Sequence, residues 1–286
     1  MKEVVVLSGK GGTGKTSIVG SFAALAQNKV LCDCDVDAAD LHLLLRPQSS
    51  EKCEFRSGQT AFIDEQKCSR CWLCEDNCRF DAISDFTVDP ASCEGCAFCS
   101  HICPEEAIEM QENLSGHWFI SDTEYGPLVH ARLGIAEENS GKLVTTVRNE
   151  SKLIAERQGL DIIITDGPPG IGCPVISSLS GANLALIVTE PTLSGMHDLE
   201  RVVGVCQHFK IPIMVCINKY DINEENTRLI ESMCADQGID MAARIPFDDM
   251  VTEALTRGLP VVEYSKGEVA DTISALWESV LGVLTA

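Results

Sequence analysis

Two kinds of chemistry are written near the start of this chain. Gly9-Lys10-Gly11-Gly12-Thr13-Gly14-Lys15-Thr16 follows the apolar run KEVVVLS and precedes a helical pattern. In that context a glycine-rich loop cradles phosphate: its glycines turn backbone N–H groups toward phosphate oxygens, and the helix N-terminus adds positive dipole. Lys15 is placed to reach the β and γ phosphates and Thr16 to bind Mg²⁺, with Ser17 closing the nucleotide-binding stretch. The second chemistry belongs to cysteine. CSRCWLCEDNC at 68–78 and CEGCAFCSHICP at 93–104 repeat one spacing, two, two and three residues between thiols.

Two-residue spacing lets successive thiolates of one loop point at a single iron–sulfur cube. Zinc is the competing ligand, but zinc sites take four ligands, often as CxxC pairs across a longer loop. Two even ladders, the second closed by Pro104, fit a pair of [4Fe–4S] clusters better. The ladders resemble the bacterial two-cluster ferredoxin pattern, in which the fourth cysteine of each ladder serves the other cluster. That resemblance implies Cys68, Cys71, Cys74 and Cys103 for one cluster, and Cys78, Cys93, Cys96 and Cys99 for the other. Arg79 departs from the pattern, standing where the first ladder usually has proline.

Composition bounds the rest. The chain has 286 residues, 45% of them hydrophobic, enough for one large core plus a small module. A formal net charge of -21 argues against nucleic acid or anionic membrane as a main partner. The head of the chain carries no signal-peptide pattern, and VVVL is one strand long, so a cytoplasmic protein with reduced thiols is expected. Among the 15 cysteines, Cys32, Cys34, Cys206 and Cys216 lie in strand or helix patterns and are expected to be packed thiols.

Strand and helix signals alternate over 1–56, give way to the cysteine module at 57–110 with short loops, and resume over 111–286. Strands are expected at WFIS, KLVTTV, DIIITD, LALIVTE, PIMVCIN and MAARI, with helices at 14–27, in DLHLLL and over 268–286. This reads as an α/β domain, a mostly parallel sheet with helices on both faces, interrupted by a small inserted two-cluster ferredoxin-like domain.

Lys10, directly before Gly11-Gly12, adds a resemblance. The loop is similar to the deviant Walker A of the MinD, ParA, Mrp and nitrogenase iron protein superfamily, and the likeness extends over nearly the whole chain. It implies an ATPase in which Lys10 crosses a dimer interface to the partner's phosphates, in the manner of an arginine finger. DCDVDAAD at 33–40 resembles switch I, with Asp35 orienting the attacking water and lying near Mg²⁺, and Asp33 supporting the metal indirectly. DGPPG at 166–170 resembles switch II, with Asp166 holding Mg²⁺ through water and Gly167 and Gly170 letting the loop move. Asn218 and the segment at Pro246 are implied as adenine contacts, although Asn218-Lys219-Tyr220-Asp221 also reads as the NKxD pattern of guanine recognition. Cys173 falls where the nitrogenase iron protein ligates a shared cluster. With no cysteine between 111 and 165 to pair with it, a buried or partner-facing thiol is expected instead.

Two functions follow. One is an ATP-hydrolysing iron–sulfur protein that couples nucleotide state to electron transfer, or to metallocofactor or cluster assembly. It would work as a homodimer, or as a heterodimer with a related ATPase, on a redox or metallocofactor-binding partner. Its cofactors are ATP, Mg²⁺ and two [4Fe–4S] clusters. The other is a MinD- or ParA-like spatial organiser with redox-sensing clusters. Membrane attachment by the last helix is disfavoured, because its polar positions carry no Lys or Arg.

Overall fold

Val4, Val5, Val6 and Leu7 are all fully buried, which marks the first strand as central and covered on both faces. Alternation divides them. Val4 and Val6 pack with Ile18, Phe22 and Trp277 on one side, while Val5 and Leu7 pack with Val175, Leu199 and Val203 on the other. The computed structural model describes residues 1–134 and 140–286. The chain divides into two compact units. The first comprises Met1–Cys53, Trp118–Arg132 and Ser140–Ala286, and the second is built on Glu54–His117.

The strands, in chain order, are β1 (Lys2–Ser8), β2 (Lys29–Asp33), β3 (Ser49–Ile63), β4 (Ile83–Ser84), β5 (Thr87–Val88) and β6 (Ile108–Thr123). They continue with β7 (Gly126–Leu133), β8 (Ile162–Pro169), β9 (Leu184–Thr189), β10 (Ile213–Asn218) and β11 (Asp240–Ile245). The large sheet has the order β11-β10-β9-β1-β8-β2-β7-β6-β3. Its pairings from β11 through β7 are parallel. The loops after β1, β2, β8, β9 and β10 therefore gather at the carboxyl edge of the sheet, where open α/β folds place their ligands.

Helix α1 (Lys15–Leu25) starts directly at the glycine-rich loop. Its Phe22 ring lies 5.0 Å from the ring of Trp277 on the last helix, Glu268–Thr285. That last helix buries Ile273, Leu276, Trp277, Val280 and Leu284 in the same core. No helix among the described residues is long and apolar enough to cross a membrane.

One strand expectation fails. KLVTTV is not a strand but part of a helix, Ser140–Gln158. Its β-branched residues suggested a strand, yet the buried positions Leu143, Val144, Val147, Ser151, Ile154 and Ala155 recur at helical spacing, and that period decides. The expectation of short loops throughout 57–110 also needs correction. Two long strands bracket the ladders, β3 running to Ile63 and β6 starting at Ile108, so WFIS is only the end of β6.

In the second unit β4 and β5 form a small antiparallel hairpin. A compact apolar core of Ala61, Ile63, Cys74, Ile83 and Ile108 packs against Cys68, Cys78, Cys93, Cys99 and Cys103.

Candidate functional site

In the first unit, the sequence folds the phosphate loop by necessity at Gly14. Its φ of 93° is left-handed, and a Cβ there would collide with the Asn218 side-chain nitrogen. Gly14 caps α1 with no side-chain cap and no acidic residue in the first turn, so the turn's N–H groups stay open to an anion. Lys15 is 5% exposed and Thr13 2%, and the buried Thr13 hydroxyl has no partner. A cavity of about 630 Å³ opens here, lined by Gly12, Lys15, Thr16, Asp35, Asp40 and Pro168 among others.

The acidic residues arrive on neighbouring strands. Asp33 and Asp166 are register partners on β2 and β8, which sets two carboxylates side by side in the interior. Asp33 is fully buried and accepts hydrogen bonds from the Asp35 and Leu41 backbone N–H groups, at 3.1 and 3.2 Å. It thus braces the turn that presents Asp35. Burial, and then the charge of Asp166, push the Asp33 carboxyl well above the usual carboxylate range. Burial also lifts Asp166 to about 6, with Lys15 pulling the other way. One Asp166 oxygen is buried without a partner. An orphaned buried carboxylate oxygen near Lys15 and Thr16 suits a divalent cation, so the residues present fit Mg²⁺. Asp35 is half-buried, raised by burial and lowered by Lys15.

Three site residues have neighbours in this chain that the sequence did not disclose. Lys10 does not face the cavity alone. Its ammonium pairs with Glu190 at 3.2 Å and lies 3.4 Å from the Thr192 hydroxyl. Asn218 uses its amide nitrogen on the Thr13 carbonyl at 2.8 Å and accepts from Lys219 N–H, so it braces the phosphate loop. Pro246 lies just past β11, in a turn where Asp221 accepts the Phe247 N–H at 2.7 Å. Sequence reasoning missed Glu190. Its signal was available, an acidic residue closing the run LALIVTE at a strand's carboxyl end. Cys32, Cys34, Cys206 and Cys216 are all fully buried, while Cys173 is exposed rather than buried.

The second unit repeats one backbone device. Arg70 and Trp72 flank Cys71 with φ of 55° and 66°, and Gly95 and Ala97 flank Cys96 with φ of 64° and 60°. A Cβ on Gly95 would strike the Gln59 carbonyl. Left-handed residues other than glycine cost about 1–3 kcal/mol each and cluster where the backbone serves a ligand. In the first curl Arg70 N–H donates to the Cys68 thiol at 3.4 Å, and past the second ladder Ala107 N–H donates to that of Cys103 at 3.3 Å. Cys74, Cys78, Cys93, Cys96 and Cys99 line a cavity of about 370 Å³. Cys68, Cys71, Cys74 and Cys103 line a second space, with Trp72 and Phe86 meeting edge-on at 4.7 Å beside it. Eight thiols lining two neighbouring spaces, two of them accepting a backbone N–H at sulfur, fit cluster ligation. Among the described residues, no three His, Cys, Asp or Glu side chains converge as a single metal ion would need.

Sheet order, loop and acidic strand ends together define a phosphate-loop nucleotide-binding domain. A family model described as the CobQ/CobB/MinD/ParA nucleotide binding domain matches residues 4–261, and the chain belongs to that family. An uncharacterised protein of Methanocaldococcus jannaschii is 33% identical over 97% of this chain and 96% of its own length. An iron–sulfur cluster carrier protein of Pyrococcus horikoshii is 27% identical over 50% of this chain and 53% of its own. The structure of the septum site-determining protein MinD of Pyrococcus horikoshii, complexed with Mg-ADP, superposes with a TM-score of 0.59 at 19% identity, covering 100% of this chain and 98% of that one.

Proposed function

We propose that this chain is a Mg²⁺-dependent ATPase that couples its nucleotide state to two [4Fe–4S] clusters, for electron transfer or for metallocofactor assembly on a partner protein. The observation that carries the reading is the pairing of two built sites in one chain. An open phosphate loop has carboxylates at its strand ends, and a separate cysteine unit has both ladders curled by the same left-handed backbone. The likeness over half the chain to an iron–sulfur cluster carrier supports it.

The residues divide the work. The α1 N-terminus and Lys15 hold the phosphates, and Thr16 with Asp166 would hold Mg²⁺, which supplies charge neutralisation at the β and γ oxygens. Asp35, held in place by Asp33, orients a water for attack. Lys10 leaves its own subunit to meet the partner's phosphates in an ATP-bound dimer. Asp221 is engaged by the Phe247 N–H, which leaves less of it for guanine and favours ATP over GTP. The clusters supply one-electron redox capacity when bound. Switch I ends near Asp40 and the second unit begins at Glu54, a short connection that supports coupling if its contacts differ between nucleotide states. The spatial-organiser reading lacks a membrane face on the last helix, whose apolar side is buried in the core.

The test is a redox titration of wild type and Asp35→Ala with ATP, with ADP and without nucleotide. A coupling of about 1.4 kcal/mol appears as roughly 60 mV for a one-electron couple. Identical potentials and chelation rates in all three states, with the partner present, would leave a passive module.

A further inference from the structure

Glu190 is the one acidic side chain that meets Lys10 in the first unit as described. It stands just past the carboxyl end of β9, with its side chain 13% exposed. Two lysines share it. Lys10 approaches at 3.2 Å from the phosphate loop and Lys219 at 2.6 Å from the loop after β10. Lys219 is held in a left-handed conformation, φ 55°, next to Asn218, whose amide is tied to the Thr13 carbonyl. Glu190 is therefore positioned by a residue whose neighbour grips the phosphate loop itself. Thr192 supports the other side. Its hydroxyl caps the helix Leu193–His208 by accepting the Gly195 N–H at 3.0 Å, and lies 3.4 Å from the Lys10 ammonium.

The arrangement has a direction. Lys15, buried at the cavity, stands near Asp35 and Asp166 but forms no ion pair within 4.0 Å among the described residues, while Lys10 is paired within its own chain. A lysine so held is unavailable elsewhere until something displaces the carboxylate. The arriving phosphates carry the same sign of charge as Glu190 and compete with it for the ammonium.

The geometry points to Glu190 as a positioning residue, a latch that keeps Lys10 on its own subunit until a nucleoside triphosphate outcompetes it, and so sets the nucleotide threshold for self-association. This rests on the reading of Lys10 as the lysine that crosses to a second copy. The Lys10 side chain is 32% exposed, so the latch is weak, and its release shifts an equilibrium by about threefold, the scale of a partly solvated ion pair. A weak latch suits a threshold, since a strong one would block the ATP-bound state altogether.

The experiment uses the full-length, cluster-loaded protein as wild type, Glu190→Gln, Lys10→Ala and the double variant. Acetic anhydride labelling of Lys10 without nucleotide, read by mass spectrometry, reports whether the ammonium is held. Light scattering against ATP concentration and ATP turnover report the consequence. Glu190→Gln is expected to raise Lys10 labelling and to lower the ATP concentration for half-maximal association, each by about threefold. The association shift should vanish in the Lys10→Ala background. A labelling rate that ignores Glu190→Gln overturns the latch, as does an equal association shift with Lys10 absent, since the effect would then run through Lys219 or the fold. Increased labelling with unchanged association overturns the threshold role. If Lys10→Ala instead hydrolyses ATP as wild type does, the trans-lysine reading fails, while the labelling result still judges the latch.

Discussion

The two units reach order by opposite means. The first has apolar layers on both faces of its sheet, with strands such as Val4–Leu7 wholly excluded from water. It tolerates buried charge because that charge is answered: Arg148 meets Glu3 at 2.6 Å and also donates to the Ser177 and Ser180 carbonyls. Among the described residues of the second unit, one cluster of five buried side chains, one of them Cys74, is ringed by further cysteines. A unit of this length rarely stabilises a fold by its apolar core alone, and natural domains of this size often add disulfides or metal. The first unit is a scaffold that holds a site, whereas under the proposed function the cysteine site of the second unit would itself be part of the scaffold.

That contrast is sharpest under removal of iron. Anaerobic reconstitution is expected to give about eight iron and eight sulfide per chain. Chelation should then collapse hydrogen-exchange protection across Glu54–His117 while leaving nucleotide binding by the first unit nearly intact. Protection that persists in the cysteine unit without metal would erase the distinction, and stoichiometric zinc without sulfide would replace its basis. Cys71→Ser and Cys96→Ser should each damage one cluster preferentially, visible in the iron count.

Within the first unit the site should be separable from the scaffold. Lys10→Ala and Asp35→Ala are expected to lower ATP turnover by about a thousandfold, the range for losing an electrostatic or water-positioning group. Nucleotide affinity, measured by calorimetry, should change little, because Lys15 and the α1 N-terminus remain.

Arg148→Ala attacks the scaffold instead. Breaking a buried pair leaves Glu3 with only the more distant Lys152 ammonium at 4.0 Å and the Thr165 hydroxyl, and should cost about 3 kcal/mol in denaturant unfolding of the first unit. Iron content should be unaffected.

The smallest effect is a pH slope. His130 is buried and stacks between His42 and Phe119, with ring centroids at 5.2 and 4.9 Å. Burial, then His42, lower its pKa from 6.5 to about 4. The unfolded chain therefore binds the proton first, and stability falls as pH drops from about 6.5 to about 4, then levels off. Compared with His130→Gln, wild type should lose about 2 kcal/mol across that window, discounted for relaxation around the ring. Parallel pH curves for the two proteins would remove His130 from the account.

Legibility differed between the units for the same reason. GKGGTGKT and the two ladders were readable because their chemistry depends on local spacing: a loop of consecutive N–H groups, or thiols two residues apart. Asp33, Asp35 and Asp166 were readable as strand-end acids with separate roles implied by the family resemblance, but not the contacts through which Asp33 acts. Asp33 proved to be a brace because β2 and β8 run in register and bury it. KLVTTV misled, since four β-branched residues in a row speak for a strand until the whole helix is counted and its buried face emerges.

The amino-acid order by itself determined the α/β class, the phosphate loop and the cysteine spacing, all of which arise from neighbours along the chain. Only the tertiary structure decided which residues meet across it. It placed Lys10 and Lys219 on Glu190, Asn218 on Thr13, Asp221 on Phe247 and Arg148 on Glu3. Such pairings depend on strand order and register in the sheet, and no local pattern encodes the order in which distant strands lie side by side.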